Sequence, residues 1–355
     1  MTLQIVLMAI LSFGVATVLT RLFRNYALKG GLLDVPNERS SHDQPTPRGG
    51  GVAIVLATLA SLPMLALLHV IDWRMSYGLM AAGSLAAGVG YADDRATVPL
   101  WFRLLFQFAA AAMVVLFIGA ETLGVAIPVL AGVPWLCSTL AVGYLVWMLN
   151  LTNFMDGIDG IASVEAITIC LGAVLCLLLA PRAHSANNDA LAVGVELAHR
   201  NGAIAFALTL AAATTGFLRW NWPPARIFMG DAGSGFLGVL LGALTLVAGT
   251  VSPSLLWSCV ILGGVFVVDA TTTLFRRIAR REKFYHAHRS HAYQHAAQCY
   301  GHARVTTTVA ALNVCWCLPW ALLAARGTLH GAVALALAYI PLLAVALRFR
   351  AGLPD

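Results

Sequence analysis

Residues 329–347 read LHGAVALALAYIPLLAVAL and contain no Asp, Glu, Lys or Arg. A helix needs about 17–25 predominantly apolar residues to cross a bilayer, so this stretch is long enough for one crossing. Similar stretches recur along the chain of 355 residues, of which 59% are hydrophobic and 11% charged. This composition is more apolar than a soluble core of that length requires. We predict an all-α polytopic integral membrane protein with a single domain, residues 1–355.

Eleven apolar segments of the sequence are predicted to span the membrane. They are 3–22, 50–71, 76–92, 104–119, 133–149, 160–180, 203–218, 235–250, 254–274, 306–325 and 329–347. Segment 104–119 is short and rich in Phe, and 120–132 is a candidate re-entrant piece. The region 235–274 allows another division around residues 250–253. We therefore predict about 10–11 transmembrane helices.

The distribution of basic residues predicts the orientation. If the N-terminus lies outside, 18 of the 22 Lys and Arg residues fall in loops on the inner side. Because cytoplasmic loops are enriched in Lys and Arg, we predict that the N-terminus is outside and the C-terminus cytoplasmic. The inner loops that would carry a site lie near 23–49, 93–103, 150–160, 219–234 and 275–305.

The net charge of +6 does not indicate nucleic-acid binding, because the basic residues follow the predicted topology and no soluble domain presents them. Membrane lipids with anionic head groups and a negatively charged substrate are the predicted partners. The seven cysteines form no C-x-x-C pair and fall mostly within predicted spans. They therefore predict neither a disulfide framework nor a structural zinc site.

Five aspartates lie at the edges of the apolar segments, all on the predicted cytoplasmic side: Asp93, Asp94, Asp156, Asp159 and Asp231. Carboxylates are rare near a bilayer because burying them is costly, and those that occur there usually have a function. Carboxylate oxygens are also the ligands that hard divalent cations prefer. The cluster therefore predicts a site for a divalent metal and phosphate.

The segment Asn150–Gly160, which reads NLTNFMDGIDG, carries polar side chains at a three-residue spacing. In a helix, this spacing places Asn150, Asn153, Asp156 and Asp159 along one ridge. Two carboxylates and two amides suit a metal ion or the base and ribose of a nucleotide, and the spacing leaves these roles open. The alternative is that they are capping and turn residues where a span meets water.

Asp93 and Asp94 are adjacent, and adjacent carboxylates repel each other unless a cation or a shared proton compensates them. Mg²⁺ would compensate them, whereas a solvated turn is the competing interpretation. Asp231 lies between Gly230 and Gly233, where the next apolar helix is predicted to begin. Backbone N–H groups at a helix start bind phosphate, and the competing interpretation there is a flexible reversal of the chain.

Five histidines crowd the last long inner loop: His286, His288, His291, His295 and His302. His288, His291 and His295 would share one face of a helix. A zinc site would need a Cys or a carboxylate at a familiar spacing, so we favour binding of pyrophosphate oxygens by the imidazoles and by Arg289. The positive-inside rule explains the basic run before these histidines better than a specific substrate role does.

These motifs together resemble the polyprenyl-phosphate N-acetylhexosamine-1-phosphate transferases of glycosyltransferase family 4. The resemblance rests on the Asp93-Asp94 pair, the stretch from Asn153 to Gly160, the run Phe228-Met-Gly-Asp-Ala-Gly-Ser and the His-rich loop. An early inner loop, residues 34–51, is also similar to the family's loop before its second span. The motifs occur in the family's order, and the similarity covers nearly the whole chain.

Membership of this family would imply transfer of a sugar 1-phosphate from a UDP-sugar to undecaprenyl phosphate, with release of UMP. It would also imply a requirement for Mg²⁺, with Mn²⁺ as a substitute, and an active site on the cytoplasmic face of the bacterial inner membrane. A homodimer is left open. Because such a transfer joins two polyanions, the need for a cation agrees with the aspartate cluster.

The resemblance also implies roles for individual residues. The implied metal ligands are Asp231, Asp156 and Asp94, and the implied catalytic residues are Asp93, Asp94, Asp156 and Asp159, with Asp93 as the acid–base residue. The implied substrate-binding residues are Asn150, Asn153, Asn221, His288, Arg289, His291, Arg48, Gly230 and Ser234. Direct in-line attack and a covalent phosphosugar intermediate both remain open.

One part of the pattern departs from the family. Many members carry a compact His-x-His or triple-His motif where this chain reads His288-Arg289-Ser290-His291. This form resembles the branch that initiates O-antigen or capsule repeats more than the branch that uses a muramyl-pentapeptide donor. The implied donor is therefore UDP-GlcNAc or a UDP-linked 6-deoxy N-acetyl sugar.

A transporter or flippase for a phosphorylated lipid is the rival interpretation, with the acidic groups binding a coupling ion. It is disfavoured because the aspartates lie at the inner edges of the spans rather than at mid-span. The exceptions are Asp269 and Glu165, which we interpret as buried structural carboxylates.

Overall fold

The computed structural model describes residues 2–34, 44–182, 190–282 and 288–354. Within these ranges the chain is almost entirely helical, which confirms the all-α prediction, and its one sheet is a two-stranded antiparallel ribbon of β1 (Leu33–Asp34) and β2 (Thr46–Pro47). The helices are α1 (Thr2–Gly30), α2 (Val52–Leu67), α3 (Trp73–Arg95), α4 (Leu100–Ile118), α5 (Glu121–Ala126), α6 (Pro134–Met155), α7 (Ile161–Leu179), α8 (Ala190–Asn221), α9 (Asp231–Val251), α10 (Pro253–Leu262), α11 (Gly264–Ala279), α12 (Ala292–Tyr300), α13 (His302–Leu312), α14 (Leu318–Ala325) and α15 (Gly331–Arg348).

Eight helical segments of the described chain are long and apolar enough to cross a membrane: α1, α4, α6, α7, α8, α9, His302–Ala325 and α15. Helices α10 and α11 qualify together as a ninth, although they meet at a bend of 67°. The prediction of a polytopic membrane protein is confirmed. The two remaining predicted spans fall in α2, which has only 16 residues, and in α3, whose last turn carries Asp93, Asp94 and Arg95. The count of eleven and the orientation of the termini stay predictions.

The bend between α10 and α11 lies inside the predicted span 254–274. It occurs at Gly263 and Gly264, where the first helix ends and the second begins. A Cβ on Gly264 would lie 2.9 Å from a ring atom of Tyr339 in α15, so the glycine lets this ring pack against the bend. Hydrophobicity could not locate the bend, because apolar residues continue on both sides of the glycine pair.

Other irregular segments interrupt or connect the predicted spans. Ser252 separates α9 from α10, which agrees with the alternative division around residues 250–253. The candidate re-entrant piece 120–132 forms only the six-residue α5 and a 3₁₀ turn at Pro128–Leu130. A π-helical turn, Asn313–Cys317, joins α13 to α14.

Helix α9 is the buried centre of the bundle. Every residue from 232 to 249 is buried, and the helix packs against α3, α6, α8 and α10. Small residues permit this close packing, because a Cβ on Gly238 would lie 2.6 Å from the backbone of Leu149 in α6. Since α9 begins at Asp231, its central position brings that carboxylate to the place where neighbouring helices end.

The ends of α3 and α6 and the start of α9 meet at one end of the bundle. The chain before α9 is held there by the end of β2 and the segment that follows it: the Phe228 N–H donates to Pro47 O at 2.8 Å, and the Gly50 N–H donates to Phe228 O at 2.9 Å. Gly90 of α3 approaches the first turn of α9 so closely that a Cβ would overlap the Asp231 backbone. This packing brings the acidic end of α3 to the start of α9.

Candidate active site

Asp94, near the end of α3, is fully engaged by neighbouring groups. Its Oδ1 accepts hydrogen bonds from Arg48 Nη2 at 2.6 Å and from the Asp231 N–H at 3.0 Å, and its Oδ2 accepts one from the Ala232 N–H at 3.1 Å. Asp94 therefore caps the start of α9, where a negative charge also stabilises the helix dipole. Gly230, with φ of 78°, makes room for the carboxylate, because a Cβ there would lie 2.8 Å from Asp94 Oδ2.

Asp93 is paired with a different arginine. Its Oδ2 accepts a hydrogen bond from Arg103 Nη1 at 2.8 Å, and its Oδ1 accepts one from the Val98 N–H at 2.9 Å. Each of the two adjacent carboxylates thus has its own guanidinium, which compensates their repulsion without a metal ion. Sequence reasoning missed the role of Arg103, since no spacing rule links it to Asp93.

Asp231 is the first residue of α9 and lies among negative charges. Its carboxylate interacts with the side chains of Asp93 and Asp94, with the amide of Asn153, and with the charge of Arg103. No cation lies within salt-bridge distance of it in the described part of the chain. The nearby arginines are already bound to other carboxylates.

Asp156 directly follows α6 and is the least supported carboxylate of the cluster. Among the described residues it has neither a hydrogen-bond donor nor a cation at its carboxylate. Burial raises the pKa of Asp156 well above its ordinary value, and the charges of Asp231, Asp94 and Asp159 raise it further. A cation placed here would relieve both effects.

The donor set of Asp156 and Asp231 suits a hard divalent cation. Within the described residues no group of three or more His, Cys, Asp or Glu side chains lies close enough to hold a metal ion. Mg²⁺ commonly uses only one or two carboxylates and completes its coordination with water and substrate phosphates. Two half-buried carboxylates that lack a cationic partner among the described residues therefore fit Mg²⁺ better than they fit an ion that needs a preformed protein cage.

The predicted ridge of four polar residues is wrong beyond Asn153. Helix α6 ends at Met155, and Asp156 has non-helical backbone angles, with φ of −87° and ψ of 48°. Gly157 lies against the Tyr293 hydroxyl, which would collide with a side chain at this position. Asp156 and Asp159 therefore lie in the turn that follows the helix, whereas Asn150 and Asn153 lie within it.

Asn153 is the predicted amide that the structure brings to Asp231. Its Nδ2 donates to Ser234 Oγ at 3.0 Å, and the Ser234 hydroxyl donates to Gly230 O at 3.2 Å. Ser234 is fully buried in the first turn of α9. The Asn153–Ser234 contact joins the end of α6 to the start of α9, and substrate contact by Ser234 stays a prediction.

The other two predicted amides bond within the protein. Asn150 and Gln107 form a reciprocal amide pair between α6 and α4, with N···O distances of 2.9 and 3.3 Å. Asn221 is 3% exposed, accepts from the Gly160 N–H at 3.1 Å and donates to Ile227 O at 3.0 Å. Both side chains hold neighbouring segments in place, and their contact with substrate stays a prediction.

Asp159 faces a different set of neighbours from Asp156. Its Oδ2 accepts from the Ala225 N–H at 3.0 Å, and its Oδ1 lies 3.3 Å from His302 Nδ1. The Thr306 hydroxyl also donates to Asp159 O at 2.9 Å. Asp159 thus ties the acidic segment to the start of α13 and to the loop before α9.

His288 and His291 form a stacked pair with ring centroids 5.0 Å apart. His291 Nδ1 lies 3.3 Å from Asp269 Oδ1, and His288 Nδ1 lies 2.9 Å from Ser290 Oγ. Burial, followed by the charges of His291 and Arg277, lowers the pKa of His288 to about 3. The His288 imidazole is therefore neutral near pH 7.

The histidines do not share one helical face as predicted, because α12 begins only at Ala292. His295 Nε2 lies 3.2 Å from Leu353 O, and His302 contacts Asp159. His286 lies outside the described residues. The buried Nε of Arg289 has no hydrogen-bond partner in the described part of the chain.

Asp269 of α11 anchors this segment. Its carboxylate accepts hydrogen bonds from the Ala292 N–H at 3.0 Å and the Tyr293 N–H at 2.9 Å, and it also contacts His291. These bonds cap α12, and Asp269 is buried as predicted. The Tyr293 hydroxyl donates to Phe154 O at 3.0 Å and so ties α12 to the acidic segment. Sequence reasoning missed Tyr293, whose partner is distant in sequence.

The fold and the site define a polytopic membrane protein with an acidic site, short of cations, at one end of its helix bundle. The sequence model of glycosyl transferase family 4 matches residues 76–249. The chain is 30% identical over 305 residues to the probable undecaprenyl-phosphate N-acetylglucosaminyl 1-phosphate transferase of Bacillus subtilis strain 168, which covers 84% of this chain and 78% of that protein. The chain belongs to glycosyl transferase family 4, as predicted.

The names of two further relatives state different sugar substrates. The decaprenyl-phosphate N-acetylglucosaminephosphotransferase of Mycolicibacterium smegmatis is 31% identical over 282 residues, 72% of this chain and 66% of that protein. The phospho-N-acetylmuramoyl-pentapeptide-transferase of Kocuria rhizophila is 31% identical over 267 residues, 65% of this chain and 69% of that protein. The region matched by the family model contains the five aspartates but not Arg48 or the stacked histidines.

Proposed function

We propose that the protein transfers N-acetylglucosamine 1-phosphate from UDP-GlcNAc to undecaprenyl phosphate, which yields undecaprenyl-diphosphate-GlcNAc and UMP. A UDP-linked 6-deoxy N-acetyl sugar is the alternative donor. The observation that carries the proposal is the pair of half-buried carboxylates, Asp156 and Asp231, which lack a cationic partner among the described residues; Asp156 also lies near Tyr293 of the His-rich segment. The names of the relatives from B. subtilis and M. smegmatis support the class of sugar and of lipid phosphate.

Asp156 and Asp231 are the proposed ligands of Mg²⁺, for which Mn²⁺ would substitute. When bound, this cation neutralises charge on the donor diphosphate and on the leaving UMP. Asp94 already caps α9, so its contribution is to hold the backbone from which Asp231 projects. Phosphoryl transfer depends mostly on positioning and on charge stabilisation, and both tasks match these residues.

The acceptor needs little help from a base. The second pKa of a phosphate monoester is about 6, so the lipid phosphate is largely a dianion near pH 7. Both carboxylate oxygens of Asp93 are already occupied by Arg103 and the Val98 N–H. The acid–base role of Asp93 stays a prediction. A lipid phosphate that is already deprotonated needs little proton transfer to Asp93.

The stacked histidines and Arg289 are the proposed contacts for the donor pyrophosphate. His288 and His291 each use Nδ1 inside the protein, with Ser290 and Asp269 as partners, and within the described residues their Nε2 atoms make no hydrogen bond. These two Nε2 atoms are the proposed ligand contacts. The carboxylate of Asp269, 3.3 Å from His291 Nδ1, orients the His291 ring. Arg289 adds a permanent positive charge beside the pair.

The proposed location is the bacterial inner membrane with the site on the cytoplasmic face. This placement follows from the excess of Lys and Arg in the loops at this end of the bundle and from the need for a nucleotide-sugar donor. The transporter interpretation receives no support from the relatives described above, because all three are named as transferases.

The test is UMP release by the purified protein with undecaprenyl phosphate, Mg²⁺ and a panel of UDP-N-acetyl sugars. We expect UMP release with UDP-GlcNAc and its loss in EDTA. If UMP is released only with a UDP-linked 6-deoxy sugar, the proposed donor would change and the proposed class of reaction would stand. Silence across the panel, with folded protein and verified substrates, would reject the transferase activity.

A further inference from the structure

Tyr293 is a buried residue of α12 to which the proposed chemistry gives no role. It is 4% exposed, and its hydroxyl donates to Phe154 O at 3.0 Å. Phe154 lies in the last turn of α6, and the last four carbonyl groups of a helix have no donor within the helix. The Tyr293 hydroxyl supplies such a donor from a position 139 residues further along the chain.

The acidic turn begins two residues after this hydrogen bond. Helix α6 ends at Met155, and Asp156, a proposed cation ligand, follows with non-helical backbone angles. The Asp156 N–H donates to Asn153 O at 3.3 Å, which is longer than the usual N–H···O distance and holds the turn only weakly. The place of the Asp156 carboxylate therefore depends on contacts that other segments make with the end of α6 and with the turn.

Gly157, on the other side of Asp156, lies against the same hydroxyl. A Cβ on Gly157 would overlap the Tyr293 oxygen, and it would lie 3.1 Å from Tyr293 Cζ and 3.2 Å from Gln294 Nε2. The backbone of Gly157 has no positive φ, so its conformation is open to alanine and the contact with α12 is what requires glycine. The Tyr293 hydroxyl thus contacts the chain both before and after Asp156.

Contacts that do not involve the hydroxyl hold Tyr293 itself in place. Its N–H donates to Asp269 Oδ2 at 2.9 Å, and its ring stacks on that of His291 with centroids 5.7 Å apart. Helix α11, which carries Asp269, packs against both α6 and α12. Because several contacts fix the ring, loss of the hydroxyl alone would loosen the acidic turn and leave the stacked histidines where they are.

We propose that Tyr293 is a positioning residue that sets the place of Asp156 for the cation. Its hydroxyl fixes the end of α6 through Phe154 O and limits movement of the turn at Gly157. Its ring stacks on His291, so one side chain joins a proposed contact of the donor to a proposed ligand of the cation. The inference rests on the proposed function for the cation, whereas the hold of Tyr293 on the turn is independent of it.

The first test is amide hydrogen exchange in Tyr293→Phe, with Tyr300→Phe as the matched control. Tyr300 ends the same helix, is 55% exposed and contacts Phe349 through its ring, which the substitution keeps. We expect Y293F to raise exchange in residues 156–160 about threefold to tenfold, because one buried hydrogen bond is lost. Y300F should leave these amides unchanged, and neither variant should change exchange in α9.

The second test is the apparent dissociation constant for Mg²⁺, obtained in detergent from the rise of Tm with Mg²⁺ concentration. Y293F should raise this constant about threefold to tenfold, and Y300F should leave it unchanged. A hydroxyl that served stability alone would lower Tm in EDTA and in Mg²⁺ alike and would not change the constant. Unchanged exchange at 156–160 or an unchanged constant in Y293F would overturn the proposal.

Gly157→Ala tests the same contact from the other side. Its methyl group would collide with the Tyr293 hydroxyl, so G157A should weaken Mg²⁺ binding more in the wild type than in Y293F, which lacks that oxygen. Strictly additive effects of the two substitutions would contradict the contact. If Y293F does not fold, G157A decides by the same exchange at residues 156–160. If Mg²⁺ fails to stabilise the wild type, the proposed cation site is rejected, and the exchange result alone judges the hold of Tyr293 on the turn.

Discussion

The start of α9 and the start of α12 use carboxylates in opposite ways. At α12, one carboxylate, Asp269, is surrounded by donors: two backbone N–H groups, a hydroxyl and an imidazole. At α9, four carboxylates share two arginines, Arg48 and Arg103. The first arrangement is a complete structural anchor. The second is short of positive charge, and this shortage supports the proposed cation site at this end of the bundle.

The aspartates around the start of α9 also fall into two groups, those with bound cations and those without. Asp94 and Asp93 are bonded to arginines and backbone N–H groups, whereas Asp156 and Asp231 are not. A carboxylate held away from water without a cationic partner destabilises the fold until a cation binds. We therefore assign Asp93 and Asp94 to holding the structure of the site, and Asp156 and Asp231 remain the proposed cation ligands.

The largest effect is expected when Asp156 or Asp231 is replaced, and it should lower activity while raising stability. Asp156→Asn and Asp231→Asn should each lower the rate of UMP release at least about a hundredfold, because the charge that holds the cation is lost. In EDTA the same variants should unfold at a higher temperature than the wild type, since like-charge repulsion is removed. Asp72→Asn is the control, because it replaces an exposed N-cap of α3 with another capping residue. Near-normal turnover in D231N would contradict the proposed role of Asp231 as a cation ligand.

At α12, removing the carboxylate is expected to destabilise the fold rather than stabilise it. Asp269→Ala leaves the Ala292 and Tyr293 N–H groups without their acceptor, so it should lower the free energy of unfolding by about 2–3 kcal/mol. Thermal unfolding in detergent, with and without Mg²⁺, measures this change. If D269A were as stable as the wild type, the contrast between a structural and a ligand-binding carboxylate would not hold.

Added Mg²⁺ should stabilise variants of Asp156 and of Asp269 to different extents. Mg²⁺ at about one hundred times its dissociation constant should raise the free energy of unfolding of the wild type by about 2.7 kcal/mol. D156N should lose most of this gain, whereas a variant with Asp269 replaced should keep it. An equal response of both variants would place the cation elsewhere.

The smallest expected effect is the pH dependence due to His288. Its folded pKa is about 3, below the ordinary value of 6.5. Between these two values the unfolded chain binds the proton and the folded chain does not, so stability falls as the pH drops through this window. His288→Gln should reduce the loss of Tm between pH 7 and pH 5 by a few degrees. An unchanged pH dependence in H288Q would mean that His288 titrates normally in the folded protein.

Much of the fold follows from apolar length, and each predicted span has a helix. The bend at Gly263–Gly264 was not predictable, because the glycine pair lies within an unbroken apolar run and the ring that packs there comes from α15. The site motifs were recognisable by their order, yet the ridge through Asn153 and Asp156 was wrong because the helix ends at Met155. Local spacing predicts neighbours only while the helix continues.

The sequence by itself determined the membrane class, the family and the set of chemical groups, because these depend on composition and on short motifs. Only the tertiary structure decided which carboxylates are already occupied. Asp94 caps a helix start 137 residues away in the chain, and Arg48, 46 residues before it, supplies the opposite charge. Asp156 has no such partner among the described residues, since the helices that meet around it bring acidic groups and not basic ones. Hydrogen-bond partners and burial come from packing between distant segments, and these determine which groups remain available for a cation.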